Sequence, residues 1–160
     1  MSVDEIGALQ VSVRSLVEDD AHLYLWIPDR WLIAGDGARI AEEWGFNPLR
    51  LIVWAKKGYG LGKFPRPQHE CVLVCRRGNL SFQVDTVGSV QEWKRPYGPP
   101  RFGGRGIGSG RVHSAKPDGF LDLVEQASPG PYLELFARRQ RLGWDTWGNE
   151  ALEHVSLSSQ

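Results

Sequence analysis

Apolar positions along this chain fall into short runs separated by turn residues, and the spacing within each run predicts what it forms. His22 to Ile27 (His-Leu-Tyr-Leu-Trp-Ile) is almost continuously apolar and is closed by Pro28-Asp29, which reads as a buried strand. Leu49 to Ala55 and Glu70 to Cys75 read as a second and a third strand. Between the first two, Ile33, Ala34, Ala38, Ala41 and Trp44 recur at helical spacing, and Gly45 stands where a C-cap belongs. A short helix is expected from Asp4 to Leu9, with Ser2 as N-cap and Glu5 at capping-box spacing. Periodicity then fades from Gly78 to Gly110. It returns with a helix opened by Pro117, striped by Phe120, Leu121, Val124 and Ala127, and ended by Ser128-Pro129-Gly130. A last strand spans Tyr132 to Phe136, followed by a polar, tryptophan-containing segment to Asn149.

Strand, helix and strand joined by short links imply a parallel crossover, so the expected class is α/β with a mostly parallel sheet. Ligands in such sheets gather at the carboxyl ends of the strands, here near Ile27, Ala55, Cys75 and Phe136. The length fits one domain, taken as residues 1–153 with a loose tail at 154–160.

Charge changes this picture. The net charge is zero, but residues 50–111 hold 12 basic and 3 acidic side chains, against 3 and 9 in residues 1–49 and 4 and 7 in residues 112–160. A central segment of that kind neutralises phosphates or forms a solvated basic loop. Its most irregular part, Lys94 to Arg111, is rich in glycine and proline, so residues 78–111 are expected to form a flexible basic loop. Arg95, Arg101, Arg105 and Arg111 alternate there with Trp93, Tyr97 and Phe102, a pattern suited to backbone contact and base stacking. Gly106-x-Gly108-x-Gly110 follows no predicted strand and lacks the context of a phosphate loop.

Cys71 and Cys75 would share one face of a strand at about 13 Å, too far for a disulfide. Two cysteines make a poor zinc site, and no metal is expected. Buried thiols, no signal peptide and no apolar run long enough to span a bilayer together predict a cytoplasmic protein with no membrane contact.

The C-terminal third carries the densest chemistry. Lys116 precedes a helix N-terminus, which already favours anions. Arg138 and Arg139 directly follow a strand at the ligand end of the sheet, and Glu134 inside that strand needs a partner if buried. Trp147-Gly148-Asn149 offers a stacking face, a close backbone approach and an amide. Such a set holds a zwitterion with a flat base, or else consists of surface charges beside an ordinary strand.

Ser-x-Lys-Pro-Asp at 114–118, Glu-Leu-Phe-Ala-Arg at 134–138 and Trp-Gly-Asn-Glu at 147–150 resemble, in this order and spacing, the adenine-N(6) methyltransferases of the METTL type. That family is typified by the eukaryotic mRNA-methylating enzyme and has bacterial and phage members. Met-Ser-x-Asp-Glu-Ile at the start, Leu-Tyr-Leu-Trp at 23–26, Trp44-Gly45-Phe46, Val53-Trp54-Ala55-Lys56 and Gln68-His69-Glu70 carry the resemblance through most of the chain. It implies a Rossmann-like methyltransferase fold and S-adenosylmethionine as cofactor. It also implies a nucleic-acid substrate, DNA ahead of RNA, and adenine ahead of cytosine. By the same resemblance Lys116, Phe136, Arg138, Asn149 and Glu150 bind the cofactor. Glu70, Trp54 and Lys56 border the target base, and Arg101 and Arg105 belong to the basic loop that meets nucleic acid. Family members often carry His-Asn after the Arg138 equivalent, where this chain has Arg139, Gln140 and Arg141.

One motif of the family is missing. An Asp-Pro-Pro-Trp strand would precede the Met-Ser-x-Asp-Glu-Ile segment, supplying acceptors for the hydrogens of the adenine amine and a ring to stack on the base. Pro99-Pro100 follows Gly98 and has no carboxylate, and Pro28-Asp29-Arg30-Trp31 has the right residue types in the wrong order. Three readings remain: an N-terminally truncated enzyme, an inactive or split subunit whose partner supplies the catalytic motif, or a decayed product with an incomplete sheet.

Overall fold

The computed structural model describes residues 1–60, 63–96 and 115–148 in full, and the backbone of 101–103 and 106–108. Its helices are α1 (Val3–Gly7), α2 (Gln10–Leu16), α3 (Asp29–Ala34), α4 (Asp36–Glu43) and α5 (Asp118–Ala127). Its strands are β1 (Ala21–Ile27), β2 (Asn47–Ala55), β3 (His69–Arg77), β4 (Val90–Gln91), β5 (Arg101–Gly103), β6 (Gly106–Gly108), β7 (Tyr132–Leu135) and β8 (Trp144–Trp147).

Local chemistry explains most boundaries. Ser2 Oγ accepts from Glu5 N–H while the Glu5 carboxylate accepts from Ser2 N–H, which closes the capping box and starts α1. The expected helix from Ile33 to Trp44 is in fact two. Gly35 adopts φ +80°, ends α3, and α4 begins anew at Asp36. The far end of α4 follows expectation. Gly45 sits at φ +89°, its N–H bonds to Glu42 O, and Phe46 N–H bonds to Ala41 O, a double closure that returns the chain into the core through buried Phe46.

The main sheet has the order β1-β3-β2-β4. β3 is antiparallel to both β1 and β2, and only β2·β4 and β7·β8 are parallel. The mostly parallel sheet expected from the sequence is therefore corrected to a mixed one. β1 and β2 do run in the same direction, as their crossover requires. β3 then enters between them in the opposite sense, a step invisible to a reading of consecutive elements. β1 pairs on one side only among the described strands and is half-buried rather than buried, with only Ile27 fully enclosed.

β3 divides the core. Cys71, Leu73 and Cys75 pack with Ile27, Ile40, Trp44 and Phe46 on one face. Val72 and Val74 pack with Ile52, Phe120, Leu121 and Val124 on the other. Both cysteines are free, buried and on the same face, and burial pushes the Cys75 thiol up to about 12. Trp44 Nε1–H donates to Ile6 O at 3.2 Å and ties α1 to α4.

Part of the segment read as a flexible loop is built into this frame. β4 extends the sheet, Gln83 N–H bonds to Ala127 O, and Phe82 stacks on His22 with ring centroids 3.9 Å apart. β5 and β6 form an antiparallel pair, so Gly106 and Gly108 lie in a strand. The strand expected from Tyr132 to Phe136 stops at Leu135, and β8 in the tryptophan-containing segment was not foreseen.

His22 joins β1 to the end of α5. Leu80 O can only accept, so His22 Nε2 carries the proton at 3.0 Å, Nδ1 accepts from Ser128 Oγ at 2.8 Å, and Ser128 Oγ accepts from Tyr24 O–H at 2.9 Å. Burial lowers the His22 pKa below its ordinary 6.5, the Leu80 contact opposes this, and Arg76 adds to it. The folded state thus takes its proton at lower pH than the unfolded chain. Stability is full above about 6.5 and declines as pH falls from there toward the folded-state value. Melting curves at about pH 7.5 and about pH 5.5 should show a lower Tm at the acidic value, with the gap narrowed in H22Q. An equal gap in both proteins would exclude His22 as its source.

Candidate active site

The C-terminal ends of β1 and β2 meet the N-terminal end of β3, because Ile27 pairs with Cys71 and Ala55 with His69. Antiparallel β3 therefore contributes its start to the site. The end near Cys75, expected to be functional, lies at the opposite side of the sheet.

Trp54 and Glu70 are direct cross-strand partners on the face that α5 covers. Glu70 Oε1 accepts from Lys56 Nζ, and Glu70 Oε2 accepts from Lys116 Nζ at 2.5 Å. Each ammonium also lies over an indole, Lys56 over Trp54 and Lys116 over Trp26, both at 4.5 Å from the ring centroid. The two indoles meet edge to face at 6.1 Å and 77°. Such cation–π contacts contribute roughly 0.5–2 kcal/mol each, more as water is excluded. Trp54 is 2% exposed, and its Nε1–H donates to Trp93 O at 2.9 Å. Trp26 Nε1 is buried with no partner among the described residues.

Burial alone would raise the Glu70 carboxyl. The hydrogen bonds and charges of Lys116 and Lys56 outweigh it and hold the group below its ordinary 4.5. Glu70 is therefore ionised at neutral pH and is a weak base.

Lys116, Phe136 and Arg138 line one cleft of about 910 Å³, together with Trp26, Phe120, Tyr132 and Glu134. That volume is in the range of sites for small molecules and cofactors. Phe136 takes φ +61°, a left-handed conformation uncommon for a residue with a side chain, and meets Trp147 edge to face at 5.4 Å. Ala137 N–H bonds to Trp147 O, and a Cβ on Gly148 would overlap the Ala137 backbone, which is the close approach expected of that glycine. Burial raises the Glu134 carboxyl, opposed by Arg139 and Arg141. Arg139 pairs with Asp118, and Arg141 with Asp122 and Glu125, so these two arginines clamp the start of β8 to α5.

The cleft is lined by every residue from Ala21 to Trp26 and every residue of β7. Successive strand residues point to opposite faces, so this cleft runs along strand edges and separates β1 from β7.

The structure thus unites Lys116 with Glu70, Trp54 and Lys56, and unites Lys116 with Phe136 and Arg138. Arg101 lies in β5, where only the backbone is described, and Arg105, Asn149 and Glu150 lie outside the described residues. Trp26, which meets Lys116 and Trp54, was not singled out in the sequence because its strand reads as ordinary core. Asp29, His69 and Cys71 were also not foreseen as a group. They bring one donor atom each within 4.8 Å of one another on the face of β3 away from Glu70. Burial first, then Asp29 and Glu70, raise the Cys71 thiol, and a protonated thiol is a poor metal ligand.

A family model described as MT-A70 matches residues 1–150. The chain is 28% identical over 143 residues to the Type II methyltransferase M.MunI of Mycoplasma sp, covering 88% of this chain and 55% of that protein. It is 49% identical over 47 residues to the human N(6)-adenine-specific methyltransferase METTL4, covering 28% of this chain and 10% of that protein. It is 25% identical over 156 residues to the N(6)-adenosine-methyltransferase subunit METTL3 of Danio rerio, covering 92% of this chain and 24% of that protein. The chain spans about half the length of M.MunI and a quarter or less of the other two. Among the described residues, no helix is long and apolar enough to cross a membrane.

E70Q should lower stability by about 1–2 kcal/mol at neutral pH, the value of hydrogen bonds to charged groups discounted for partial exposure. A carboxyl with a depressed folded-state pKa stabilises fully above 4.5 and loses that contribution as pH falls through its folded value. Denaturation of both proteins at neutral pH and near pH 3 should show a smaller penalty at the lower pH. An equal penalty at both would place its origin outside the ion pairs.

Proposed function

Because the chain belongs to the MT-A70 family, we propose that it is the cofactor-holding part of an adenine-N(6) methyltransferase. Its substrate is nucleic acid, with DNA as the first to test and RNA the second. The observation that carries this reading is the position of Lys116. It lines the cleft with Phe136 and Arg138, and it is ion-paired to Glu70 beside Trp54. One side chain thereby links the residues assigned to the cofactor with those assigned to the target base.

The cleft fits S-adenosylmethionine chemically. Lys116 and Arg138 supply cations for a carboxylate and for ribose oxygens, Glu134 supplies a carboxyl, and Phe136 supplies an aromatic face. When bound, S-adenosylmethionine supplies an electrophilic methyl on a sulfonium sulfur. The residues around it exclude water and orient the partners. Glu70, ionised and engaged by both lysines, holds them in position and does not accept the amine proton.

That leaves the acceptor for the amine hydrogens to be supplied elsewhere, which favours a second reading in which a further strand completes the site. β1 pairs only with β3 and β7 only with β8 among the described strands, and the cleft runs between their edges. An extended segment carrying the acidic Pro-Pro-aromatic motif, from a partner subunit or from elsewhere in a longer protein, has there two edges to pair with.

Calorimetry on the 160-residue chain should detect S-adenosylmethionine. K116A and R138A should each weaken it roughly ten- to hundred-fold, the value of a charge-assisted hydrogen bond. A wild-type chain that takes up no cofactor would overturn the first reading. Transfer of labelled methyl to adenine-containing DNA and RNA should be absent with the chain alone and appear when a segment carrying the acidic Pro-Pro-aromatic motif is supplied. Turnover by the chain alone would overturn the second.

A further inference from the structure

The segment that joins β2 to β3 has a surface that the fold does not use. It leaves the sheet at Lys56 and returns at His69, so both of its ends adjoin the Glu70 cluster. Lys56 N–H bonds to Gln68 O at 2.7 Å, and Gly60 N–H bonds to Pro67 O at 2.8 Å, which continues the β2–β3 ribbon outward. Gly60 is required at that crossing, because a Cβ there would lie 2.9 Å from Pro67 O. Arg66 caps the ribbon, donating from Nε to Gly60 O at 3.1 Å while its guanidinium lies 5.5 Å from the centroid of the Tyr59 ring. Arg95 donates to Gly58 O at 3.4 Å and braces the base of the ribbon.

At the tip Phe64 is 98% exposed, and Tyr59 below it is 64% exposed. Enclosing a phenylalanine side chain is ordinarily favourable by roughly 1.5–3 kcal/mol, and the fold forgoes that here. The flanking charge has one sign. Lys57, Lys63 and Arg66 are exposed, and no Asp or Glu occurs between Arg50 and Glu70. An exposed apolar ring on a braced ribbon, flanked in the sequence by exposed cations, matches a polyanion whose bases present flat faces.

We propose that Lys57, Lys63, Phe64 and Arg66 form a nucleic-acid contact in which Phe64 stacks on an unpaired base beside the target while the three cations hold the adjoining phosphates. This rests on the reading above that the substrate is nucleic acid. It assigns the grip on the strand to the β2–β3 ribbon, in addition to the arginines of the 94–111 segment. A base acted on at its exocyclic amine must leave the stack, and the neighbour it leaves behind exposes the face that a ring can cover.

The test uses the 160-residue chain and a fluorescent single-stranded oligodeoxynucleotide containing adenine, read by anisotropy across a salt series. F64A should bind roughly ten-fold more weakly, and F64W should restore binding, because stacking on any base needs only an aromatic face. K63A/R66A should reduce the slope of log affinity against log salt by about 1.4, two phosphate contacts on a single strand. Phe64 touches little of the fold, so the Tm of F64A should equal that of the wild type. S-adenosylmethionine affinity, measured on the same samples, should be unchanged in every loop variant. If F64A binds the oligonucleotide as the wild type does, the contact proposal is wrong, while retained cofactor binding leaves the functional reading intact. If the wild-type chain binds no oligonucleotide but binds phosphatidylserine vesicles in a Phe64-dependent way, the ribbon is a membrane contact and the proposal is overturned. Loss of cofactor binding in the wild type with Phe64-dependent oligonucleotide binding would refute the methyltransferase reading and keep the contact.

Discussion

Strand β3 is hydrogen-bonded along both edges and packed on both faces. Val72 and Cys75 have no exposed surface, and Leu73 and Val74 are nearly as enclosed. β2 also has a neighbour on each edge, but β4 pairs with only Val53 and Trp54 of it. A strand in the position of β3 cannot shift by one residue without sending every side chain to the wrong face, so its register is fixed. The register sets the site. With Ile27 opposite Cys71 and Trp54 opposite Glu70, the first residues of β3 are brought to the end of the sheet where β1 and β2 finish. Three elements then deliver charge to one point. β2 continues into Lys56, β3 opens on Glu70, and the approach to α5 brings Lys116.

The electrostatics of that point depend on the same geometry. Two ammonium groups close together repel, and a single carboxylate between them with one oxygen for each converts the repulsion into two attractions. The indoles of Trp26 and Trp54 stabilise the lysines on their other sides, so neither cation relies on water alone. The carboxylate is consequently locked in its charged form. A group so committed holds its neighbours in place. In the proposed reading the cluster is the fixed floor of a site whose acceptor for the amine hydrogens comes from another segment.

How far this was legible in the sequence differs by element. Ser2 and Glu5 announce α1 because a capping box is a local code that needs no tertiary context. The stripe of Phe120, Leu121, Val124 and Ala127 announces α5 for the same reason. The break at Gly35 was masked by apolar spacing that continues across it, and β8 by the polar residues between its tryptophans. Strand order was illegible in principle, since periodicity reports which face of an element is apolar and says nothing of which edge finds which partner. In the candidate site, Glu70, Trp54, Lys56, Lys116, Phe136 and Arg138 were singled out through family motifs. Chemistry alone left each of them as explicable by packing or solvated charge. Trp26 escaped because an aromatic in an apolar run looks like core. Its role appears only when Lys116, distant in sequence, is seen lying on its ring. Phe64 escaped for the converse reason: nothing in Lys-Phe-Pro-Arg says whether the ring is buried.

The edges of β1 and β7 carry the argument beyond what any motif states. A strand edge is a row of donors and acceptors, and natural proteins cover or blunt such rows. β1 does neither. It is seven residues long, carries Leu23, Tyr24, Leu25 and Trp26 in succession, and turns its unpaired side to a cleft. β7 faces the same cleft from the other side with four consecutive residues. An apolar edge of this length left to solvent favours self-association, whereas two such edges facing each other across one space provide a slot. A strand seated there would join the four-stranded sheet to the β7·β8 pair and carry its C-terminal residues toward Lys116, or away from it, according to its direction. Only the orientation parallel to β1 ends beside the Glu70 cluster, because β1 itself ends there at Ile27. For the segment proposed to pair there, the geometry of this edge sets which way it must run to bring its side chains to the candidate site.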